Sequence, residues 1–161
     1  MGAGQGDRRD FLIYNDHVTS FCFDHYPFFS LGIDDTYHTA DEGGGPRDVA
    51  PAKGHLGLSQ HIAMALTADE FDMSFFQGKP VDHGLLSPLS MLADADGPWP
   101  GKVVPLHCGL LQLPIPSPKR MWKLGQCSGR RSRVTEDLNV AVMATGGPQP
   151  PGARRTRRVH Q

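Results

Sequence analysis

A chain of 161 residues, 39% of them hydrophobic, holds enough apolar material for one core of common domain size, which excludes wholesale disorder. Sixteen basic residues against seventeen acidic ones leave the charge near neutral, so no global field points to nucleic acid or an anionic membrane. Glycine (19) and proline (14) together exceed the usual share of ~12%, so many turns or long loops are expected.

The N-terminus, Met1 to Asp10, is Gly-rich and charged, without the apolar h-region of a signal peptide, and is read as irregular. Phe11 to Tyr14 is a short continuous apolar run, the pattern of a fully buried strand, and it stops at Asn15-Asp16-His17. Phe28 to Ile33 is a second strand candidate. Asp34 to Gly54 reads as a long loop, because Asp41 to Arg47 is too rich in glycine and proline for regular structure. Leu58, Ile62, Ala65 and Leu66 recur at helical spacing and predict a helix over Leu58 to Ala68.

Phe71, Met73 and Phe75 alternate with Asp72 and Ser74, as in a half-buried strand. Gly78-Lys79-Pro80 turns the chain into Val81-Asp82-His83-Gly84 and a short apolar stretch, Leu85 to Leu92. Lys102 to Leu106 and Leu138 to Ala144 are two further strand candidates. Between them Met121 to Leu124 suits a helix, whereas Gln126 to Arg133 shows no apolar stripe. Strands alternating with helical segments predict an α/β fold with a mostly parallel central sheet flanked by helices. After Gly147, Pro148-Gln149-Pro150-Pro151 and an arginine cluster, Arg154 to Arg158, predict a disordered basic tail.

Three dispersed cysteines, Cys22, Cys108 and Cys127, match neither a disulfide framework nor a metal knuckle and read as buried or idle thiols. No stretch approaches the roughly 18 apolar residues of a membrane helix, so a soluble cytoplasmic protein is expected.

Eight histidines are the unusual enrichment. His17 follows a buried strand, and ligands of open α/β sheets bind beyond the carboxyl ends of strands. A histidine there can hold a metal through one nitrogen while a neighbour orients the other, or can be a plain loop histidine. His83 lies beyond the Phe71–Phe76 strand, with Gly84 allowing close backbone approach. His61 reads as a helix-face residue, and His25, His38, His55 and His107 show no partner pattern. No H-E-x-x-H spacing occurs, so a zinc hydrolase is not indicated. Gly43 to Gly45 lacks the Lys-Ser/Thr of a phosphate loop and reads as plain loop.

Longer words go further. Tyr14-Asn15-Asp16-His17-Val18-Thr19-Ser20-Phe21, Ala40 to Arg47, Asp69 to Ser74, Asp82-His83-Gly84, Pro88-Leu89-Ser90 and Glu136 to Val140 resemble, in order and spacing, the LigB-type (class III) extradiol ring-cleavage dioxygenases. Within that family the words look like those of gallate dioxygenases, with protocatechuate 4,5-dioxygenase beta chains next, and the resemblance spans Phe11 to Gly147 with a weak patch at Gln126 to Val134. It implies an Fe(II) enzyme that opens the ring of a catecholic acid beside its two hydroxyls with dioxygen, the iron held by two histidines and a glutamate. His17 matches the second iron histidine, and His83 matches an active-site histidine that contacts substrate or oxygen. Asn15 and Asp16 would support these from behind. A smaller helical partner, fused or separate, or a homodimer is implied as well.

The resemblance also marks departures. The family's first iron histidine lies upstream of this chain's start and its iron glutamate downstream of its end. The Ser-His-Gln that carries the general base is replaced by Pro148-Gln149-Pro150-Pro151. One inserted C turns CTC-AGC-CAC-CAG into CCT-CAG-CCA-CCA, so a shifted reading frame over residues 148–161 is the expected origin of the tail. The domain is then expected over 11–147, truncated at both ends, and the alternative to an active enzyme is a catalytically incomplete fragment. Uncovered apolar faces are expected to make it marginally stable.

Overall fold

The apolar run that starts at Phe11 becomes the middle of the molecule. In the structure, a computed structural model describing residues 8–45, 48–92, 98–131 and 139–146, strand β1 spans Arg8–Tyr14. It begins at Arg8, so Arg8 to Asp10 are sheet and not the irregular N-terminus read from composition. Strand β1 pairs in parallel with β6 (Lys102–Cys108) on one side and with β7 (Asn139–Ala144) on the other. Both faces are covered. Phe11 packs into one apolar cluster and Leu12 into another, and Tyr14 returns to the second, the alternation that a pleated strand imposes.

Strand β2 (Phe29–Gly32) is buried throughout and runs antiparallel to β6 and parallel to β5 (Ser74–Phe76). The segment read as a long loop contains two short antiparallel strands, β3 (Thr36–Tyr37) and β4 (Ala52–Gly54), and β4 runs parallel to β6. Backbone pairing of such short strands leaves no periodicity, and the glycines between them hid it. The seven strands form one mixed, mostly parallel sheet ordered β3-β4-β6-β1-β7, with β2 and β5 branching from β6.

A proline inside a central strand needs an explanation, since it cannot donate to a ladder. Pro105 sits opposite Leu12 of β1; on its other side β6 changes partner, from β4 at Lys102 and Val103 to β2 from Leu106 onward. The missing N–H falls in the gap between the two partners.

Helix α1 (Leu56–Ala68) and α3 (Pro118–Arg131) pack on the Phe11 face through Leu58, Ile62, Leu66, Leu124 and Cys127. Helix α2 (His83–Leu92) covers the Leu12 face through Leu85, Leu86 and Leu89. Helix α3 continues through most of the stretch that shows no apolar stripe. Its buried positions include Leu124, Cys127 and Ser128, so a cysteine and a serine stand where aliphatic residues would have given the signal. The α/β fold with helices on both faces of a mostly parallel sheet is therefore the observed one. Apolar side chains are exposed on α2 (Met91), α3 (Trp122), β7 (Val142) and the Leu110–Ile115 loop. No helix among the described residues is long and apolar enough to cross a membrane. The expected disordered tail lies outside the described residues.

Candidate active site at the carboxyl end of β1

Strand β1 ends at Tyr14, and the next residues turn sharply under the control of one carboxylate. Asp16, fully buried, accepts hydrogen bonds from the amides of Thr19 (2.9 Å), Ser20 (3.2 Å) and Phe21 (3.2 Å). Its own amide donates to Nδ1 of His107 at 3.0 Å. The Tyr26 hydroxyl lies 3.0 Å from Asn15 Oδ1 and 3.1 Å from the Asp16 carbonyl, bridging both acceptors. Asn15 Oδ1 also accepts the Leu110 amide at 3.1 Å. The turn places Val18 at φ +63°, a left-handed conformation costly for a β-branched residue and tolerated where the surroundings over-determine the backbone.

The second half of the site comes from the start of α2. Asp82 is fully buried and N-caps that helix, its Oδ1 accepting the Gly84 amide at 3.0 Å. Its Oδ2 accepts the His17 amide at 2.7 Å and faces His17 Nδ1 at 3.0 Å. One carboxylate thus fixes the helix start and the histidine from the other turn. With Nδ1–H given to Asp82, the lone pair of the His17 ring is on Nε2, the carboxylate–histidine arrangement that metal-binding histidines use. The His17 and His83 rings stack, centroids 4.3 Å apart and planes 22° from parallel. His83 Nδ1 contacts Glu42 Oε1, and Glu42 rides on the glycine loop, where Asp41 Oδ1 accepts the Gly43 and Gly45 amides at 2.9 and 3.0 Å.

Gly84 sits where three parts of the site converge. A Cβ there would come within 2.4 Å of the Asn15 carbonyl, 2.9 Å of Asp82 Oδ1 and 3.3 Å of His17 Nδ1. Pro88, inside α2, removes the donor that would have bonded the Gly84 carbonyl four residues back. That carbonyl instead accepts the Thr145 hydroxyl at 2.6 Å, tying the end of β7 to the same cleft. The cleft, about 590 Å³, is lined by Asn15, His17, His83, Ser87 and Thr145 on its polar side and by Leu110, Leu111 and Ile115 on its apolar side.

His17 and His83, expected at comparable sheet edges, are brought into contact; His83 is the first residue of a helix and not a strand-end residue. Asn15 lines the cleft, and Asp16 lies buried behind it. Sequence reasoning assigned no role to Asp82 or Glu42, whose contacts with the histidines span 65 and 41 residues of chain, a separation no local pattern shows. His107 and His55 do have partners. His107 is fully buried under the Asn15–His17 turn, and desolvation, partly offset by Asp16 and the Pro27 carbonyl, pushes its pKa down to about 4. His55 N-caps α1 by accepting the Leu58 amide at 3.0 Å, and burial lowers its pKa. Burial, reinforced by Asp16 and Asp82, raises the Tyr14 pKa well above its ordinary value.

His17, Asp82 and His83 offer ligand atoms all within 4.8 Å of one another, a donor set able to hold a metal ion. Asp82 is already committed to two amides and a ring nitrogen, so within that set it is the residue that orients His17.

The site is thus a pair of stacked histidines over a half-apolar cleft at the strand ends of an α/β sheet. The family of the catalytic LigB subunit of aromatic ring-opening dioxygenase matches residues 11–149, and the chain belongs to that family. It is 57% identical over 109 residues to a gallate dioxygenase of Pseudomonas putida, a match covering 67% of this chain and 32% of that protein. A 2,3-dihydroxyphenylpropionate/2,3-dihydroxicinnamic acid 1,2-dioxygenase of Pseudomonas putida is 31% identical over 147 residues, covering 88% of this chain and 43% of that protein. One from Escherichia coli is 29% identical over 139 residues, 84% of this chain and 40% of that protein. The chain thus spans about a third to two-fifths of the length of these relatives.

Proposed function

We propose that the cleft belongs to an Fe(II)-dependent extradiol dioxygenase that opens the ring of a catecholic acid such as gallate or protocatechuate. The observation that carries this reading is the contact of His17 and His83 over one cleft, with Asp82 orienting His17. His17 serves as an iron ligand through Nε2, and bound iron would supply the path for electrons from the chelated diol to dioxygen. Glu42 engages His83 Nδ1 and leaves Nε2 to exchange a proton with a substrate hydroxyl or with oxygen. Leu110, Leu111 and Ile115 pack the ring face and limit water. Asn15 and Asp16 hold the turn that carries His17. Gallate is favoured among substrates by the relative at 57% identity.

This reading takes the domain as residues 11–147 and leaves 148–161 outside it. A helical partner subunit or a homodimer belongs to this reading, as does a cytoplasmic location, which three free cysteines suit.

The test is ferrous loading of the full chain under argon, followed by gallate and air. Iron retention, oxygen uptake matched to gallate loss, and loss of both in His17→Ala support the proposal. Equal iron binding by wild type and His17→Ala overturns it. The length of the relatives favours one further reading, a catalytically incomplete fragment lacking two iron ligands and the general base. Its signature is iron held through His17 without ring opening.

A further inference from the structure

His107 takes no part in the chemistry assigned to the cleft, yet it is built into the floor beneath it. It lies on β6 opposite Tyr14, where two adjacent parallel strands end. Its ring stacks on Phe21 at 4.4 Å and meets Tyr14 and Tyr26 edge-on at 5.9 and 5.2 Å. Such a cage suits a phenylalanine, and an imidazole there loses hydration that only hydrogen bonds can replace. Nε2 has no partner with hydrogen-bond geometry among the described residues. Nδ1 has one, the Asp16 amide at 3.0 Å.

What that single bond holds explains why the histidine stands there. Asp16 organises the amides of Thr19, Ser20 and Phe21, and the residue after it is His17, whose amide and ring both reach Asp82. A phenylalanine at 107 would leave the Asp16 amide buried without an acceptor, and the turn would have to move to satisfy it. Accepting at Nδ1 requires a neutral ring with its proton on Nε2, the state that burial favours.

We infer that His107 is a positioning residue: its Nδ1 fixes the Asp16 amide and, through that turn, the placement of His17 against Asp82 and His83. The catalytic meaning of this placement rests on the function proposed above, whereas the placement itself is measurable without metal or substrate.

Two variants of the full chain separate packing from acceptance. His107→Phe keeps a ring and removes the acceptor; His107→Asn keeps an acceptor near the Nδ1 position and removes the ring. The readout is the upfield shift that the stacked His17 and His83 rings impose on each other, with signals assigned through His17→Ala and His83→Ala. The shift should be lost in the folded Phe variant and kept in the Asn variant, even though the Asn variant melts at a lower temperature. A shift that instead follows melting temperature, kept with Phe and lost with Asn, overturns the inference. A ¹⁵N tautomer measurement on the wild type decides the matter even if neither variant folds. Unprotonated Nδ1 on His107 supports the inference, and protonated Nδ1 overturns it. Failure of iron binding or ring opening would count against the proposed function and leave these signals unaffected. Where cobalt(II) binds the wild type, the Phe variant should bind it about 10–100-fold more weakly.

Discussion

The two ends of β1 each bury an aspartate, and they treat it in opposite ways. At the start, Asp10 is fully buried between the Arg8 guanidinium at 2.8 Å and the Trp99 indole N–H at 2.8 Å, with the same guanidinium 4.9 Å from the Trp99 ring centroid. That end is closed: a permanent cation balances the charge, and an indole fills the space. At the far end, Asp16 and Asp82 are just as buried, but their donors are backbone amides and the His17 ring. Amide donors orient without neutralising, and the remaining contact is a histidine that still offers a second nitrogen to the cleft. Burial alone therefore does not separate the two ends. The kind of donor does.

Changing each aspartate should break this contrast cleanly. Asp82→Ala removes the acceptor of two part-buried hydrogen bonds, from the His17 and Gly84 amides, and should cost about 2–3 kcal/mol in urea unfolding, at roughly 1 kcal/mol or a little more per bond. It should also erase the mutual ring shift of His17 and His83. Asp10→Asn should cost about 1–2 kcal/mol, because Arg8 is partly exposed and can rehydrate, and it should leave the histidine signals unchanged. Equal disturbance of the rings by both variants would show that the two ends are not independent.

The acid side of the stability profile should report the far end. The His107 pKa is lowered from 6.5 to about 4 in the folded chain, so below pH 6.5 the unfolded chain takes up the proton more readily. Stability contributed by the neutral ring is full above 6.5, falls as pH drops toward about 4, and levels off below that, a loss of up to about 3 kcal/mol at 1.36 kcal/mol per pH unit. Urea midpoints between pH 7 and 4 should show this slope in the wild type and a shallower one in His107→Asn. Parallel slopes would assign the acid sensitivity to carboxylates instead.

What the sequence showed and hid follows the same physics. The β1 run, the α1 stripe and the α/β class were legible because burial on two faces writes apolar residues into contiguous or periodic positions. His17 and His83 stood out as histidines next to a strand end and a glycine. Asp82, Glu42 and His107 did not, because their partners lie 65, 41 and 91 residues away and each uses a side chain that solvated loops also use. The two-stranded β3–β4 ladder and the later turns of α3 were missed for a different reason: the first is too short to show a period, and the second buries a cysteine and a serine.

Glycines sharpen the comparison at smaller scale. Gly84→Ala would push a methyl to 2.4 Å from the Asn15 carbonyl, a backbone atom that can yield only if the turn moves. About 1–3 kcal/mol of destabilisation is expected, with the ring shift lost. Gly44→Ala meets no atom within 4 Å, and its cost is confined to a φ of +99°, about 1 kcal/mol in thermal melts with the rings undisturbed.

The smallest stability effect should carry the most specific information. Glu42 touches His83 from an open loop, so Glu42→Gln should change stability by less than about 0.5 kcal/mol. The amide can still meet Nδ1, but as a neutral partner it supports an imidazolium less well and can engage either tautomer. On the function proposed above, a lower kcat with an unchanged KM for gallate is the expected split in the ring-opening assay, because in that reading Glu42 serves the proton exchange at His83 and not substrate docking. Glu42→Asp, which keeps the charge and shortens the reach, should fall between the two. A KM effect alone would mean that Glu42 shapes the mouth of the cleft and leaves His83 to act without it.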